Sequence, residues 1–373
     1  MNILITISYY IPNISGLTIY AKNLAEGLTQ KGYKVSVLTS DYRKEFKSGS
    51  LDRRVKVVRV WTPFLLGRGP IMPTFIFNSF FQVLKAKVVI CQLPQFEALV
   101  IAFWAKVLCK KLIVTYHCDL AFWPGWINKA TVFASYVSHF FTCLMANKIV
   151  VNSEDYAKNS KFLSLFKRKL TYIYPPIKLD EIEESIIFGK NEYTYKVGFV
   201  GRIAKEKGLE YLLGTIGYLQ KYLGKRVAIY IAGPGEEVIG GNHQKELATL
   251  LAKYSKYIFL LGTLSDAQLV AFYKMLDVFV LPSVERMESF GMTQVEAMML
   301  GCPVVVNNLP GAREAVLKTG MGEVVNVKNP DEFAKAIAKV IKGRKTYVIH
   351  QTVVDKIFNI NNTIDSYDKL INV

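Results

Sequence analysis

The sequence is short of several things, and each shortage narrows what the chain can be. Its 373 residues hold only five cysteines, no two of them in a CxxC spacing. That disfavours a disulfide scaffold and points to reduced thiols in a cytosolic setting. No basic segment precedes the apolar run of MNILITISYYIP, so it reads as a first β-strand rather than a signal peptide. No GxGxxG follows that run, which leaves a dinucleotide fingerprint unsupported. Carboxylates are scarce in the first half, where residues 1–180 carry 24 Lys and Arg against 9 Asp and Glu. This accounts for all but two charges of the net +17. A half-chain so basic attracts polyanions or an anionic membrane surface, or is a solvated lysine-rich surface. No helix-turn-helix, zinc or RNA-binding signature accompanies the charge, so nucleic acid is not an expected partner.

Charge is missing altogether from Ala130 to Asn147, between Lys129 and Lys148. Thr131, Ser135, Ser138 and Thr142 recur there at steps of four, three and four. They form a polar stripe on a helix otherwise covered by Val132, Phe133, Val137, Phe140, Phe141 and Leu144. A membrane-spanning helix is apolar all round and longer. The segment therefore reads as a buried or interfacial helix rather than a span.

What is present in quantity is apolar sequence. At 51% hydrophobic, the chain is long and apolar enough for two α/β domains with their own cores. In the first half strand-like runs at Ile3–Ile7, Val35–Thr39, Val55–Val60, Val88–Cys91, Leu112–Tyr116 and Lys148–Val151 alternate with helical ones such as Leu17–Gln30. That rhythm predicts a doubly wound parallel sheet. Pro175-Pro176 and the acidic run Asp180 to Glu184, with Gly189, read as a linker over 176–195. A first domain over 1–175 and a second over 196–350, followed by a helical segment 351–373, are expected.

Ligand sites in open α/β sheets lie beyond the carboxyl ends of strands. His117 stands at such an end in TYHCD, although a lone histidine is also a common structural hydrogen-bonder. Cys118 and Asp119 beside it point to alternate faces of an extended strand and make a poor chelate. Arg202 and Lys207 flank a strand-to-helix turn, where two cations can converge on one phosphate. Gly233, in Gly233-Pro234-Gly235-Glu236, ends another strand and is expected under the nucleotide base or ribose.

The organising stretch is ESFGMTQVEAMMLGCPVVV, from Glu288 to Val306. After the strand Val278–Leu281, Phe290 and Gly291 place a backbone free of bulk where a helix begins. The free amides of Gly291, Met292 and Thr293 and the positive end of the helix dipole make an anion site. Glu288 and Glu296 flank it and suit hydroxyl groups rather than the anion.

The Glu288/Glu296 pair headed by ESFG resembles the donor-site signature of the retaining glycosyltransferases of family 4, of the GT-B type. GRIAKEKG resembles the diphosphate clamp of that family, TYHCD its strand-end histidine motif, and Ser15-Gly16 its Gly-Gly loop, carried over at Gly16 alone. Gly311-Ala312-Arg313-Glu314 resembles a further loop near the donor. The resemblance covers nearly the whole chain and is strongest from Lys196 to Val327. It implies two Rossmann-like domains facing across a cleft, with a C-terminal helix crossing back to the first. It further implies transfer of a sugar from a nucleoside diphosphate sugar with retention of configuration. Arg202, Lys207 and the Gly291 helix end would hold the diphosphate with no cofactor and no metal, in keeping with the lack of a DxD motif. Glu288 would hold sugar hydroxyls, Glu296 the ribose, and His117 the sugar near the reacting carbon. The basic first half, with Phe122, Trp123 and Trp126, suggests peripheral docking on the cytoplasmic face of a membrane, where a lipid-linked glycan or glycolipid is the acceptor. A soluble sugar acceptor, a sugar-nucleotide epimerase of the same architecture and a noncatalytic basic module are the competing readings.

Overall fold

The computed structural model describes residues 1–42, 51–52, 54–66, 69–121, 125–179, 193–224, 226–234, 244–348 and 350–373. Phe122, Trp123, the acidic run from Asp180 with Gly189, Gly235 and Glu236 lie outside the described residues. The chain forms two compact units, residues 1–176 with 360–373, and 177–359.

The first unit is built on strands β1 (Asn2–Thr6), β2 (Lys34–Asp41), β3 (Leu51–Asp52), β4 (Val55–Trp61), β7 (Val88–Leu93), β8 (Lys111–Tyr116), β9 (Lys148–Val151) and β10 (Leu170–Tyr172); β5 (Phe64–Leu66) and β6 (Gly69–Ile71) pair in a separate hairpin. Its sheet runs β10-β9-β8-β7-β1-β2-β4-β3, parallel except where β3 meets β4. The central strands are unbroken apolar runs such as Val88–Cys91, buried throughout. That is what a sheet covered on both faces requires.

Helices α1 (Gly16–Gln30), α2 (Phe75–Lys85), α3 (Ala98–Val107), α4 (Trp126–Met145) and α5 (Glu154–Asn159) supply the cover. Strand order steps one way from β1 to β2 and the other way from β7 to β9. Right-handed crossovers then put α1 on one face and α3 and α4 on the other. The apolar run β7 and its neighbours thus acquire their second layer from α2, α3 and α4, tied by Trp104 Nε1 donating to the Ile76 carbonyl at 3.2 Å and Ser138 Oγ to the Phe96 carbonyl at 2.6 Å.

α4 reverses the ordinary sense of an amphipathic helix. Ser138 and Thr142 from its polar stripe are buried against the protein, and Phe133, Phe140, Phe141 and Leu144 face outward. Its inward hydroxyls are satisfied, since Thr142 Oγ1 donates to the Ser138 carbonyl at 2.8 Å. No helix among the described residues is long and apolar enough to cross a membrane.

The second unit has strands β11 (Tyr195–Val200), β12 (Val227–Ala232), β13 (Ile258–Gly262), β14 (Val278–Leu281), β15 (Val304–Asn307) and β16 (Gly322–Val325). They lie in the order β13-β12-β11-β14-β15-β16, all parallel. Helices α6 (Leu209–Gly214), α7 (Ile216–Leu223), α8 (Gln244–Lys253), α9 (Asp266–Met275), α10 (Met292–Met299), α11 (Glu314–Thr319), α12 (Pro330–Lys342), α13 (Arg344–Val348) and α14 (Gln351–Phe358) connect and follow them. α9 begins in a capping box between Ser265 and Gln268, which fixes its start.

The segment 351–373 is divided rather than single. α14 stays in the second unit, where Gln351 Nε2 donates to the Met299 carbonyl at 2.7 Å. Helix α15 (Ile360–Asn372) belongs to the first unit, where Thr363 Oγ1 donates to the Tyr174 carbonyl at 2.9 Å. The break falls at Asn359, whose extended backbone interrupts the helical pattern.

Candidate active site

The strand order of the second sheet reverses between β11 and β14, and open α/β sheets bind ligands at such a point. The loops leaving these two strands carry five of the expected residues, Arg202, Lys207, Glu288, Phe290 and Gly291. After β11, Arg202 Nη2 donates to Glu206 Oε1 at 2.9 Å. Lys207 reaches across to the loop after β14, where its Nζ meets Glu288 Oε2 at 2.5 Å. Ser283 Oγ donates to the same carboxylate oxygen at 3.2 Å. Lys207 and Glu288, 81 positions apart, are therefore brought into contact, whereas Arg202 is engaged with Glu206 instead of converging with Lys207. These side chains keep a fifth or so of their surface, with Arg202 at 25%, Lys207 at 20% and Glu288 at 13%.

The loops are braced by backbone contacts that single residue types permit. Gly233, at the end of β12, has φ +136, and a Cβ there would lie 2.0 Å from the Gly201 carbonyl oxygen. Only glycine lets the loops after β11 and β12 come so close. Gly291 caps α10 at φ +76 in the left-handed region, and a Cβ would meet Leu281 Cδ2 at 2.5 Å. α10 then begins at Met292, with Met292 and Thr293 half-buried and their amides in the first turn, which has no intrahelical acceptors. The Phe290 ring is buried and stands edge-on to Phe358 at 5.7 Å. Any ligand contact from Phe290 must accordingly come from its backbone.

Two bracing residues escape a motif reading. Asn307, buried at the end of β15, donates to the Pro282 and Ser283 carbonyls at 2.7 and 3.0 Å. Gln294 donates to the Phe290 and Ala312 carbonyls at 2.5 and 2.7 Å, joining the 288–291 loop to Gly311-Ala312-Arg313. A lone amide closing an all-valine strand is the available sequence signal for Asn307.

Glu296, in the second turn of α10, accepts a hydrogen bond from Tyr273 at 2.8 Å. The surrounding protein pushes its pKa up to about 7, because desolvation outweighs the Tyr273 hydrogen bond.

In the first unit His117 follows β8 and is buried. Its Nε2 lies 2.7 Å from Gln92 Oε1, and the Tyr20 ring stands edge-on to it at 4.6 Å. Gln92 spends its amide N–H on Thr115 Oγ1 at 3.4 Å. Its carbonyl oxygen must then accept from His117, which puts the ring proton on Nε2 and leaves Nδ1 as an acceptor. Burial pushes the His117 pKa down to about 3, so the imidazole is neutral at physiological pH. The chain continues inward, with Thr115 Oγ1 2.8 Å from the Tyr367 hydroxyl and the latter 2.8 Å from that of Tyr20. Asp119 is structural, accepting from Tyr116 at 2.8 Å and Ser160 at 2.7 Å. Gly16 opens α1 behind the capping box of Ser15 and Thr18, and the space where its Cβ would stand is open.

Two parallel α/β units, each with its charged or polar residues gathered at strand ends, define a glycosyltransferase of the GT-B fold once the comparisons are added. Residues 180–349 match the model for glycosyl transferases group 1, and residues 14–181 match that for glycosyltransferase family 4. The chain belongs to the family-4 type of group 1 glycosyltransferases. An uncharacterized glycosyltransferase of Methanocaldococcus jannaschii is 28% identical over 370 residues, covering 92% of this chain and 90% of the relative. In fold, the chain resembles sucrose-phosphate synthase from Thermosynechococcus elongatus, with TM-score 0.76 at 16% identity, covering 100% and 98% of the two chains. It also resembles the Anabaena protein HepE in complex with UDP-glucose, with TM-score 0.75 at 16% identity, covering 100% and 99%.

Proposed function

We propose that this glycosyltransferase moves a sugar from a nucleoside diphosphate sugar to a hydroxyl acceptor with retention of anomeric configuration. The observation that carries the reading is the meeting of Lys207 with Glu288 where the second sheet reverses its strand order. A cation for phosphate and a carboxylate for hydroxyls stand side by side, as the two ends of a sugar phosphate require.

As the glycosidic bond breaks, negative charge grows on the leaving diphosphate. The amides of Gly291, Met292 and Thr293 receive it, without a metal, together with Arg202 and Lys207 once each cation exchanges its carboxylate partner for phosphate. The paired state of Lys207 matters here. Phosphate recruits the ammonium, and Glu288 is released toward the sugar hydroxyls. Glu296 accepts from the ribose, Gly233 lets the nucleotide approach the backbone, and Gly16 offers its backbone amide to the diphosphate. His117, neutral, orients the sugar and places the Nδ1 lone pair near developing positive charge. The acceptor oxygen attacks on the face the diphosphate leaves, and the departing phosphate oxygen takes the acceptor proton. A trapped glycosyl ester on Glu288, detected by mass spectrometry, would replace this route with a covalent one.

The acceptor in this reading is a lipid-linked glycan or glycolipid presented at the cytoplasmic face of an anionic membrane. Thermal unfolding of the wild type and Arg202→Ala with UDP, GDP, ADP and their sugar conjugates tests the donor half. A single responsive base whose shift is lost in the variant supports it, and no shift with any nucleotide removes it. Acceptor screening then decides between lipid-held and soluble sugars.

A further inference from the structure

The layer formed by α2, α3 and α4 has an apolar outer surface. On α4, Trp126, Phe133, Val137, Phe140, Phe141 and Leu144 are all exposed, Trp126 by 78% and Phe133 by 67%. Their spacing holds them within about 100° of one helix face. Phe77, Phe81 and Leu84 form an exposed i, i+4, i+7 stripe on α2, and Phe103 and Val107 continue the surface on α3. The helices are neighbours, since Phe80 of α2 stands edge-on to Trp104 of α3 at 5.0 Å and Ser138 of α4 binds the backbone just before α3. Single exposed apolar residues are ordinary, but a contiguous surface across three helices marks an interaction site.

The sequence of these helices makes the partner more specific. None of the three contains Asp or Glu, and each carries an exposed lysine, Lys85, Lys106 and Lys129. α4 turns its hydroxyls inward and its aromatics outward, the arrangement suited to a helix lying in an interface rather than in water. A second copy of the chain is a poor occupant, because an isologous pair would bring lysine-bearing faces together with no carboxylate to offset them.

We propose that the outer face of α2, α3 and α4 docks on an anionic lipid bilayer. The aromatic side chains enter the headgroup boundary, and the lysines meet lipid phosphates. The docking rests on no step of the transfer chemistry, although it would carry the first unit to the membrane-held acceptor of the reading above.

The test uses the full chain and vesicles of phosphatidylcholine with or without phosphatidylglycerol. The wild type is expected to cosediment with the anionic vesicles at low salt, to be released by added salt, and to show a blue shift of tryptophan emission as Trp126 leaves water. The triple variant F77D/F133D/F141D should reduce the bound fraction at least tenfold, with unchanged thermal unfolding and an unchanged response to nucleotide. The charge variant K85E/K129E should weaken binding too, and it keeps the test decisive where the triple variant folds poorly. Arg202→Ala should bind vesicles as the wild type does, so a failed donor assignment leaves the docking result standing. Wild-type protein that stays in the supernatant with anionic vesicles overturns the proposal, as does binding unaffected by either set of substitutions. A solution dimer split by the same substitutions, with no vesicle binding, assigns the face to a second copy and overturns it equally.

Discussion

The two units place opposite chemistry at the ends of their strands. In the second unit the residues are charged and paired, Arg202 with Glu206 and Lys207 with Glu288, and all but the buried Glu206 stay partly open to water. In the first, His117, Gln92, Thr115, Tyr367 and Tyr20 form a buried series of neutral hydrogen-bonding groups. Burial decides the difference. Full enclosure drives the His117 imidazole neutral and its Gln92 partner fixes which nitrogen carries the proton, whereas the ion pairs of the second unit keep contact with water.

The comparison breaks first at the cations. Lys207→Ala and Arg202→Ala should each lower kcat/KM by about 10²- to 10³-fold if they stabilise the leaving diphosphate. Steady-state kinetics showing a change only in KM would demote them to uniform binding.

Glu288→Gln separates the two halves of the paired site. Transfer should fall by roughly 10- to 100-fold through loss of a charged hydrogen bond to the sugar. The free nucleoside diphosphate should at the same time bind about fivefold tighter, because the exchange releases Lys207 from a pair worth about 1 kcal/mol. Calorimetric titration showing weaker diphosphate binding contradicts this division of labour.

Protonation gives a smaller and more discriminating effect. With a folded pKa of about 7 against a usual 4.5, Glu296 binds its proton more tightly when folded. It therefore favours the folded state at low pH and loses that contribution as pH rises from about 4.5 through 7. His117, at about 3 against 6.5, acts in the reverse sense. It favours folding above pH 6.5 and loses that contribution as pH falls toward 3. Unfolding curves of Glu296→Gln and His117→Gln across pH 4 to 8 should differ from the wild type with opposite slopes. Equal slopes would mean that one of the two groups is not desolvated in the way its shifted pKa requires.

The smallest effects lie in the neutral series. Tyr367→Phe removes the hydroxyl shared by Tyr20 and Thr115 and should cost about 1 to 3 kcal/mol of stability, measured by denaturant unfolding. Activity should change little, since Gln92 still holds His117. Gly16→Ala should leave stability within about 0.5 kcal/mol and lower transfer if the amide meets the diphosphate. A fully active Gly16→Ala protein would remove that residue from the site.

Much of the fold was legible because its strands are buried on both faces and so read as plain apolar runs, Val88–Cys91 and Val278–Leu281 among them. The strand-end loops were legible through glycines and cations at fixed offsets. Periodicity located the stripe on α4 but carries no sign, so it could not tell that Ser138 and Thr142 face the core. The contact of Lys207 with Glu288 spans 81 positions and exists only once β11 and β14 lie side by side. Gln92 and Thr115 were hidden because one polar residue in an apolar strand says nothing of what it will bind, and Tyr367 because it lies on a helix 252 positions from Thr115. Within the helical segment 351–373, amphipathic periodicity does not say which unit each helical face will join, and the two faces part at Asn359.

The second unit is nested within the first, entering after Pro176 and leaving before Ile360. During synthesis the usual order, in which the N-terminal domain completes itself first, cannot hold. Residues 177–359 can finish while the first unit still waits for Tyr367 to cover Tyr20 and Thr115. Ribosomes stalled just short of α15 should therefore display a protease-resistant second unit beside an unsealed first one.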